Sequence, residues 1–124
     1  MRLENKNAII TGGAQGMGGT ITETMAKEGC NLVLVARTLE PIEELAEKIR
    51  GMGRQALAIA CDTTEEDQVA NMAAEAKEFF GGRIDILVNA MGATGPIETP
   101  VWEIGSQDFM DLLRKNVIGA FLPA

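Results

Sequence analysis

The sequence contains no histidine and no tyrosine, and Ser106 is its only serine. A Ser-His-Asp hydrolase, a histidine base and a histidine metal site are therefore excluded at once. Cysteine is scarce, with only Cys30 and Cys61 and no metal-ligand spacing between them. Cys30 is expected at the start of one strand and Cys61 at the end of its parallel neighbour. That places them at opposite edges of the sheet, too far apart for a disulfide, so both read as buried small hydrophobes. No apolar run approaches the roughly 20 residues a membrane helix needs. The start, MRLENKN, alternates charge with polarity and lacks an apolar signal-peptide core. The expectation is a cytoplasmic chain with no membrane partner. Basic charge is in deficit, 11 Lys and Arg against 18 Asp and Glu, for a net charge of −7. A nucleic acid or an anionic membrane would need a basic face, so neither is an expected partner. A phosphate-bearing small ligand stays compatible, because backbone dipoles and one or two cations can hold it.

What is present is an ordinary globular composition, 46% hydrophobic and 23% charged, in 124 residues. That length suits one domain with its own core. Short aliphatic runs recur along the chain at Asn7–Ile10, Asn31–Ala36, Ala56–Ala60 and Ile84–Asn89. Each contains Val or Ile and reads as a strand buried on both faces. Between them the apolar residues follow a helical period. Ile42, Leu45, Ala46 and Ile49 share one face, as do Val69, Met72, Ala73, Ala76 and Phe80. Thr63 with Glu66, or Thr64 with Asp67, resembles a capping box, and Thr38 and Ser106 are N-cap candidates. Gly29, Gly51 and Gly81–Gly82 mark helix ends. The alternation predicts an α/β fold, a three-layer parallel sheet of order 3-2-1-4 with right-handed crossovers. The first two helices then cover one face of the sheet and the third covers the other. After Asn89 comes a Gly- and Pro-rich loop, and then a helix with Phe109, Leu112, Leu113 and Val117 on one stripe.

The stretch TGGAQGMG, Thr11 to Gly18, has four glycines in eight residues directly after the first strand. A strand that feeds a helix through glycines is a phosphate-binding device. Bare N–H groups and the helix N-terminus face the anion, and missing side chains let a pyrophosphate approach. Gly12, Gly16 and Gly18 are spaced G-x3-G-x-G, which is neither G-x-G-x-x-G nor a P-loop. GMGRQA, Gly51 to Ala56, does satisfy G-x-G-x-x-G/A. It follows a helix, however, and so presents the wrong end of the dipole; it reads as a helix stop.

TGGAQGMG resembles the TGxxxGxG turn of the short-chain dehydrogenase/reductase family. Three further stretches fall in that family's order: CDTT with Asp62, NAMG from Asn89 to Gly92, and KNVIGAF with Asn116. The resemblance spans essentially the whole chain. It implies a single, partial Rossmann-like dinucleotide-binding domain over residues 1–124, ending before a fifth strand. By the same resemblance Thr11, Gly12, Gln15, Gly16, Met17, Gly18, Arg37, Thr38, Asp62, Thr63, Asn89, Ala90 and Gly92 are cofactor-binding candidates. Asn116 is the one catalytic candidate, and no metal is implied. Two positions depart from the pattern: Met91 replaces a small residue, and Gly19 adds a flexible one.

The second strand ends in VLVARTLE, with Ala36 where NAD-binding members carry an acid and Arg37 beside it. A carboxylate would repel a 2′-phosphate and an arginine can pair with it, so the implied cofactor is NADP(H). Gln15 contributes no second cation. The family's chemistry uses a serine, a tyrosine with a lysine four residues on, and an asparagine that helps position a water, to move a proton while hydride passes between nicotinamide and a carbonyl or alcohol. With no tyrosine, and with Ser106 too early to be the family's serine, Asn116 alone of that set is present. The expected function is therefore the NADP-binding portion of a short-chain oxidoreductase, inactive by itself. The alternative is a non-enzymatic nucleotide-binding or dimerisation module. A methyltransferase-like Rossmann class is disfavoured by Asp62, Asn89 and Asn116. An unpaired outer edge on the fourth strand predicts self-association, as a homo-oligomer.

Overall fold

The fold is taken from a computed structural model that describes all residues except Thr94 and Ile97, both in the loop after the fourth strand. The chain runs β1 (Asn7–Thr11), α1 (Gly16–Lys27), β2 (Asn31–Ala36), α2 (Leu39–Gly51), β3 (Ala56–Ala60), α3 (Glu66–Phe79) and β4 (Ile86–Asn89). A 3₁₀ turn at Val101–Glu103 follows, then α4 (Ser106–Leu113), a π turn (Arg114–Ile118) and a last short piece, α5 (Gly119–Phe121). All strand pairs are parallel and the order is β3-β2-β1-β4, as the alternation of elements requires. Ile9 lies level with Val33 on one side and Leu87 on the other, which fixes the register at the centre of the sheet.

Strand alternation divides the core into two layers. Ala8, Ile10, Leu32 and Leu34 point to one face, where they meet Ala26 of α1 and Ile42, Ala46 and Ile49 of α2. Ile9, Val33, Val35 and Ile59 point to the other, against Val69, Met72 and Ala76 of α3. Both layers are apolar because each face of a parallel sheet is covered by its own crossover helices. Cys30 belongs to the first layer and Cys61 to the second, and both are free and buried. Burial, with the Asp85 carboxylate as a second cause, pushes the Cys30 thiol up to about 11.

Several local expectations shift. The α2 stop is Gly53, at φ +85°, and Gly51 is still helical. Gly51 and Gly53 flank Met52, and the left-handed one is where the Gly53 N–H can return to the Arg50 carbonyl (3.0 Å). Glu65, not Thr63 or Thr64, is the N-cap of α3, because Asp62 and Thr64 close a turn of their own ahead of the helix. Thr38 is the N-cap residue of α2 but makes no side-chain cap bond, and Ser106 is the first helical residue of α4, one beyond its cap. Ala73 is exposed, so the buried stripe of α3 is narrower than the spacing implies. The apolar stripe of the last helix is also largely uncovered: Phe109, Leu113 and Val117 are exposed and only Leu112 is partly buried. Among the described residues, no helix is long and apolar enough to cross a membrane.

Candidate functional site

The carboxyl ends of β1, β2 and β4 meet the amino end of α1. Turn geometry there depends on missing side chains. Gly12 sits at φ +72°, and a Cβ on it would lie 2.9 Å from the Ala90 carbonyl and the Met91 nitrogen. A Cβ on Gly18 would collide with the Gly12 carbonyl oxygen. The β1–α1 turn is therefore pressed against both the first turn of α1 and the end of β4. Gly16 differs: its φ is +55°, and the space where a Cβ would project is open. The Gly12 N–H is fixed to the Val35 carbonyl at 2.8 Å. From beneath, the buried Thr22 hydroxyl lies 2.7 Å from the Gly18 carbonyl and 3.0 Å from that of Gly13. Gln15, the N-cap of α1, makes no side-chain cap bond, and the first turn of α1 carries no acidic residue. The N–H groups at that helix start are thus left for an anion from outside.

In front of this turn lies an open cleft of about 340 Å³, lined among others by Gly12, Gln15, Arg37, Thr38, Ala90 and Gly92. A second lobe of about 190 Å³ continues from it, sharing Arg37, Met91 and Gly92, and reaches Asp62, Arg114 and Lys115. Asp62 shapes this lobe. Its Oδ1 accepts the Thr64 N–H at 3.0 Å and the Thr64 hydroxyl at 2.7 Å. Those two bonds, helped by the Arg37 and Arg114 charges, hold its carboxyl below the usual aspartate value.

Not every residue singled out from the sequence reaches the cleft with its side chain. Thr11 is fully buried, its hydroxyl donating to Asn89 Oδ1 at 3.3 Å. Asn89 in turn donates to the Ala120 carbonyl at 3.2 Å, tying β4 to the last helix. Thr63 is also fully buried, with its hydroxyl toward the Met91 sulfur at 3.9 Å, and lines neither lobe of the cleft. Met17 is exposed beside the helix start. Asn116 lies on the π turn and clamps the backbone of Ala93: its Oδ1 accepts the Ala93 N–H and its Nδ2 donates to the Ala93 carbonyl, both at 2.9 Å. Nδ2 also lies 3.0 Å from the Leu112 carbonyl. The side-chain amide is thus committed to holding the loop after β4 on the helix. Sequence reasoning missed Thr22, Arg114 and Lys115. A threonine and two cations on helical segments carry no local signal of what they face. Among the described residues, no group of three His, Cys, Asp or Glu could hold a metal ion.

A parallel sheet of order 3-2-1-4, with a side-chain-free turn between its first strand and an uncapped helix start, defines a Rossmann-like α/β domain of the nucleotide-binding kind. The model of the short chain dehydrogenase family matches residues 6–124, and the chain belongs to that family. It is 34% identical over 94% of its length to an uncharacterized oxidoreductase of Mycobacterium tuberculosis, covering 43% of that protein. With a 7alpha-hydroxysteroid dehydrogenase of Clostridium sardiniense it shares 35% identity over 99% of its length, covering 47% of the relative. Among solved structures, an NAD+-bound xylitol dehydrogenase superposes with a TM-score of 0.93 at 30% identity, covering 99% of this chain and 46% of that one. An actinorhodin polyketide ketoreductase with NADPH superposes with a TM-score of 0.87 at 26% identity, covering 95% and 44%. The chain thus spans less than half the length of these relatives. The nucleotides in the two structures also differ, so likeness alone does not select between them.

Proposed function

We propose that these residues form the NADP(H)-binding part of a short-chain oxidoreductase that moves hydride between nicotinamide and a carbonyl or alcohol. The observation that carries the reading is the fit of the cleft to a dinucleotide. Its floor is backbone, where Cβ atoms on Gly12 or Gly18 would intrude on neighbouring backbone. In this reading the turn from Gly12 through Gln15, Gly16 and Met17 to Gly18 takes the pyrophosphate. Arg37 and Thr38 take the 2′-phosphate, Asp62 takes the adenine, and Asn89, Ala90 and Gly92 flank the path toward the nicotinamide. Thr11 and Asn116 act by holding β4 and its loop in place. Ala36 at the end of β2, where an acid would oppose a 2′-phosphate, and exposed Arg37 beside it support NADP(H) over NAD(H).

Bound nicotinamide would supply or accept the hydride. The accompanying proton needs a donor of suitable pKa, and these residues include neither tyrosine nor histidine. General acid-base catalysis contributes about 10²–10⁴ in rate, so carbonyl reduction by the 124-residue chain alone is expected to be undetectable across a panel of ketones. Clear turnover by the purified chain would overturn that statement. For the cofactor, titration by fluorescence should show NADPH binding more tightly than NADH, and Arg37→Ala should narrow the gap. Equal affinities in the unaltered chain would refute the NADP assignment.

A non-enzymatic, self-associating module is the second reading, and one observation favours it. β4 is an edge strand, and α4 with the π turn exposes Phe109, Met110, Leu113 and Val117.

A further inference from the structure

The lobe beyond Arg37 holds three cations, Arg37, Arg114 and Lys115, and three carboxylates, Asp62, Glu65 and Asp111. Their existing partners decide which charges are available. Glu65 Oε1 pairs with Arg114 Nη2 at 2.8 Å, and the same nitrogen donates to the Thr64 carbonyl at 3.0 Å. Asp62 accepts two bonds from Thr64, and Asp111 Oδ1 accepts the Gln107 side-chain amide at 2.9 Å. Arg37 and Lys115 remain. Among the described residues neither makes a hydrogen bond or an ion pair, although both line the same lobe of about 190 Å³. Lys115 stands on the π turn, where an extra residue per turn re-aims the side chains from the direction a continuous α-helix would give. Such turns occur often at functional sites.

We propose that Lys115 is a second specificity-determining cation of the cleft, acting with Arg37 on a nucleotide that carries a phosphate on its adenosine ribose. This rests on the cofactor reading above and extends it to a residue on a different element. The two cations have complementary chemistry. A guanidinium offers a planar fork for two phosphate oxygens, and an ammonium is a compact point charge on a flexible stem that can reach a third. In a chain of net charge −7, the three cations of this lobe balance its three carboxylates, so a dianion meets less repulsion there than over the acidic surface as a whole.

The test is calorimetric titration of the full 124-residue chain and its Lys115→Met, Lys115→Arg and Arg37→Met variants with NADPH and NADH. Without the ammonium, and so without one charge-assisted hydrogen bond, Lys115→Met should bind NADPH about tenfold more weakly and NADH within about twofold of the unaltered chain. Lys115→Arg should largely restore NADPH affinity. Lys115 is exposed and supports no other side chain, so folding should be intact by circular dichroism. Equal weakening of both nucleotides would instead place Lys115 against the shared adenosine and overturn the proposal, as would unchanged NADPH affinity. If the unaltered chain prefers NADPH but is indifferent to Lys115, only this inference falls. If it binds neither nucleotide, the cofactor reading falls and takes this one with it.

Discussion

At the residue scale, the glycines of the first turn do different jobs, and substitution should separate them. Gly18 is packed: its added Cβ meets the Gly12 carbonyl, a backbone atom that cannot swing aside. Gly18→Ala should therefore lower stability by about 1–3 kcal/mol, the usual cost of overpacking, and should abolish nucleotide binding as well. Gly16 faces open space at φ +55°. Gly16→Ala should cost only about 1–2 kcal/mol of left-handed strain, yet still weaken binding, since its methyl would stand where a phosphate approaches. Denaturant melts paired with NADPH titrations check both, and a Gly16→Ala variant with unaltered affinity would count against the pyrophosphate assignment. The positions of these glycines were legible in the sequence because spacing alone restricts what they can do. Thr22 was not, since its hydroxyl supports the carbonyl of Gly13, and nothing local distinguishes a threonine in that role from any other helical threonine.

At the scale of elements, strand and helix identities were legible because strand runs of four to six residues alternate with helical periodicity. Even the two-layer division follows from the period of two within each strand. The ends were less so. Cap residues are chosen by competing hydrogen bonds, such as the Asp62–Thr64 pair that displaces the cap of α3 to Glu65. The junction of β1 with β4 shows another side-chain bond that sequence could not announce. Asp85 Oδ2 accepts the Asn7 N–H at 2.9 Å, while Arg83 Nε lies 3.1 Å from Oδ1. The Asn7 bond first, and Arg83 second, hold the Asp85 carboxyl below its usual value. A carboxylate favoured by the fold binds its proton more weakly when folded than when unfolded. Its stabilisation is therefore full above the ordinary aspartate value of about 3.9 and is lost as pH falls through the lower folded-state value. Thermal midpoints measured from pH 7 to pH 2 should drop in that acid window. Asp85→Asn should flatten part of the drop while lowering the midpoint at neutral pH. An unchanged acid profile in the variant would show that the β1–β4 junction does not depend on this charge.

At the scale of the whole molecule, the parallel sheet closes well on one side and poorly on the other. β1 is buried throughout and β2 at its four central residues, whereas β4 has no fully buried residue although its sequence is as apolar as theirs. The last helical segment, tied to β4 by the Asn89–Ala120 bond, carries Phe109, Met110, Leu113, Val117 and Phe121, all exposed, with Phe121 at 70%. The sequence pattern put Phe109, Leu113 and Val117 on one apolar stripe with Leu112, and for an apolar stripe burial is the natural physical expectation. Pattern records which side chains avoid water, not whether the surface that would cover them is within the same residues. An uncovered row of strand N–H and C=O groups beside an apolar helix face favours association. The chain should therefore sediment as a concentration-dependent mixture rather than as a monomer. Replacing Leu113 and Val117 together by Glu should shift it toward the monomer without loss of secondary structure, since neither residue belongs to either core layer. The charge should reduce hydrophobic association and add like-charge repulsion to a chain already at −7. A monomer at every concentration before substitution would remove the self-association reading. It would leave the nucleotide reading standing, because Leu113 and Val117 line neither lobe of the cleft.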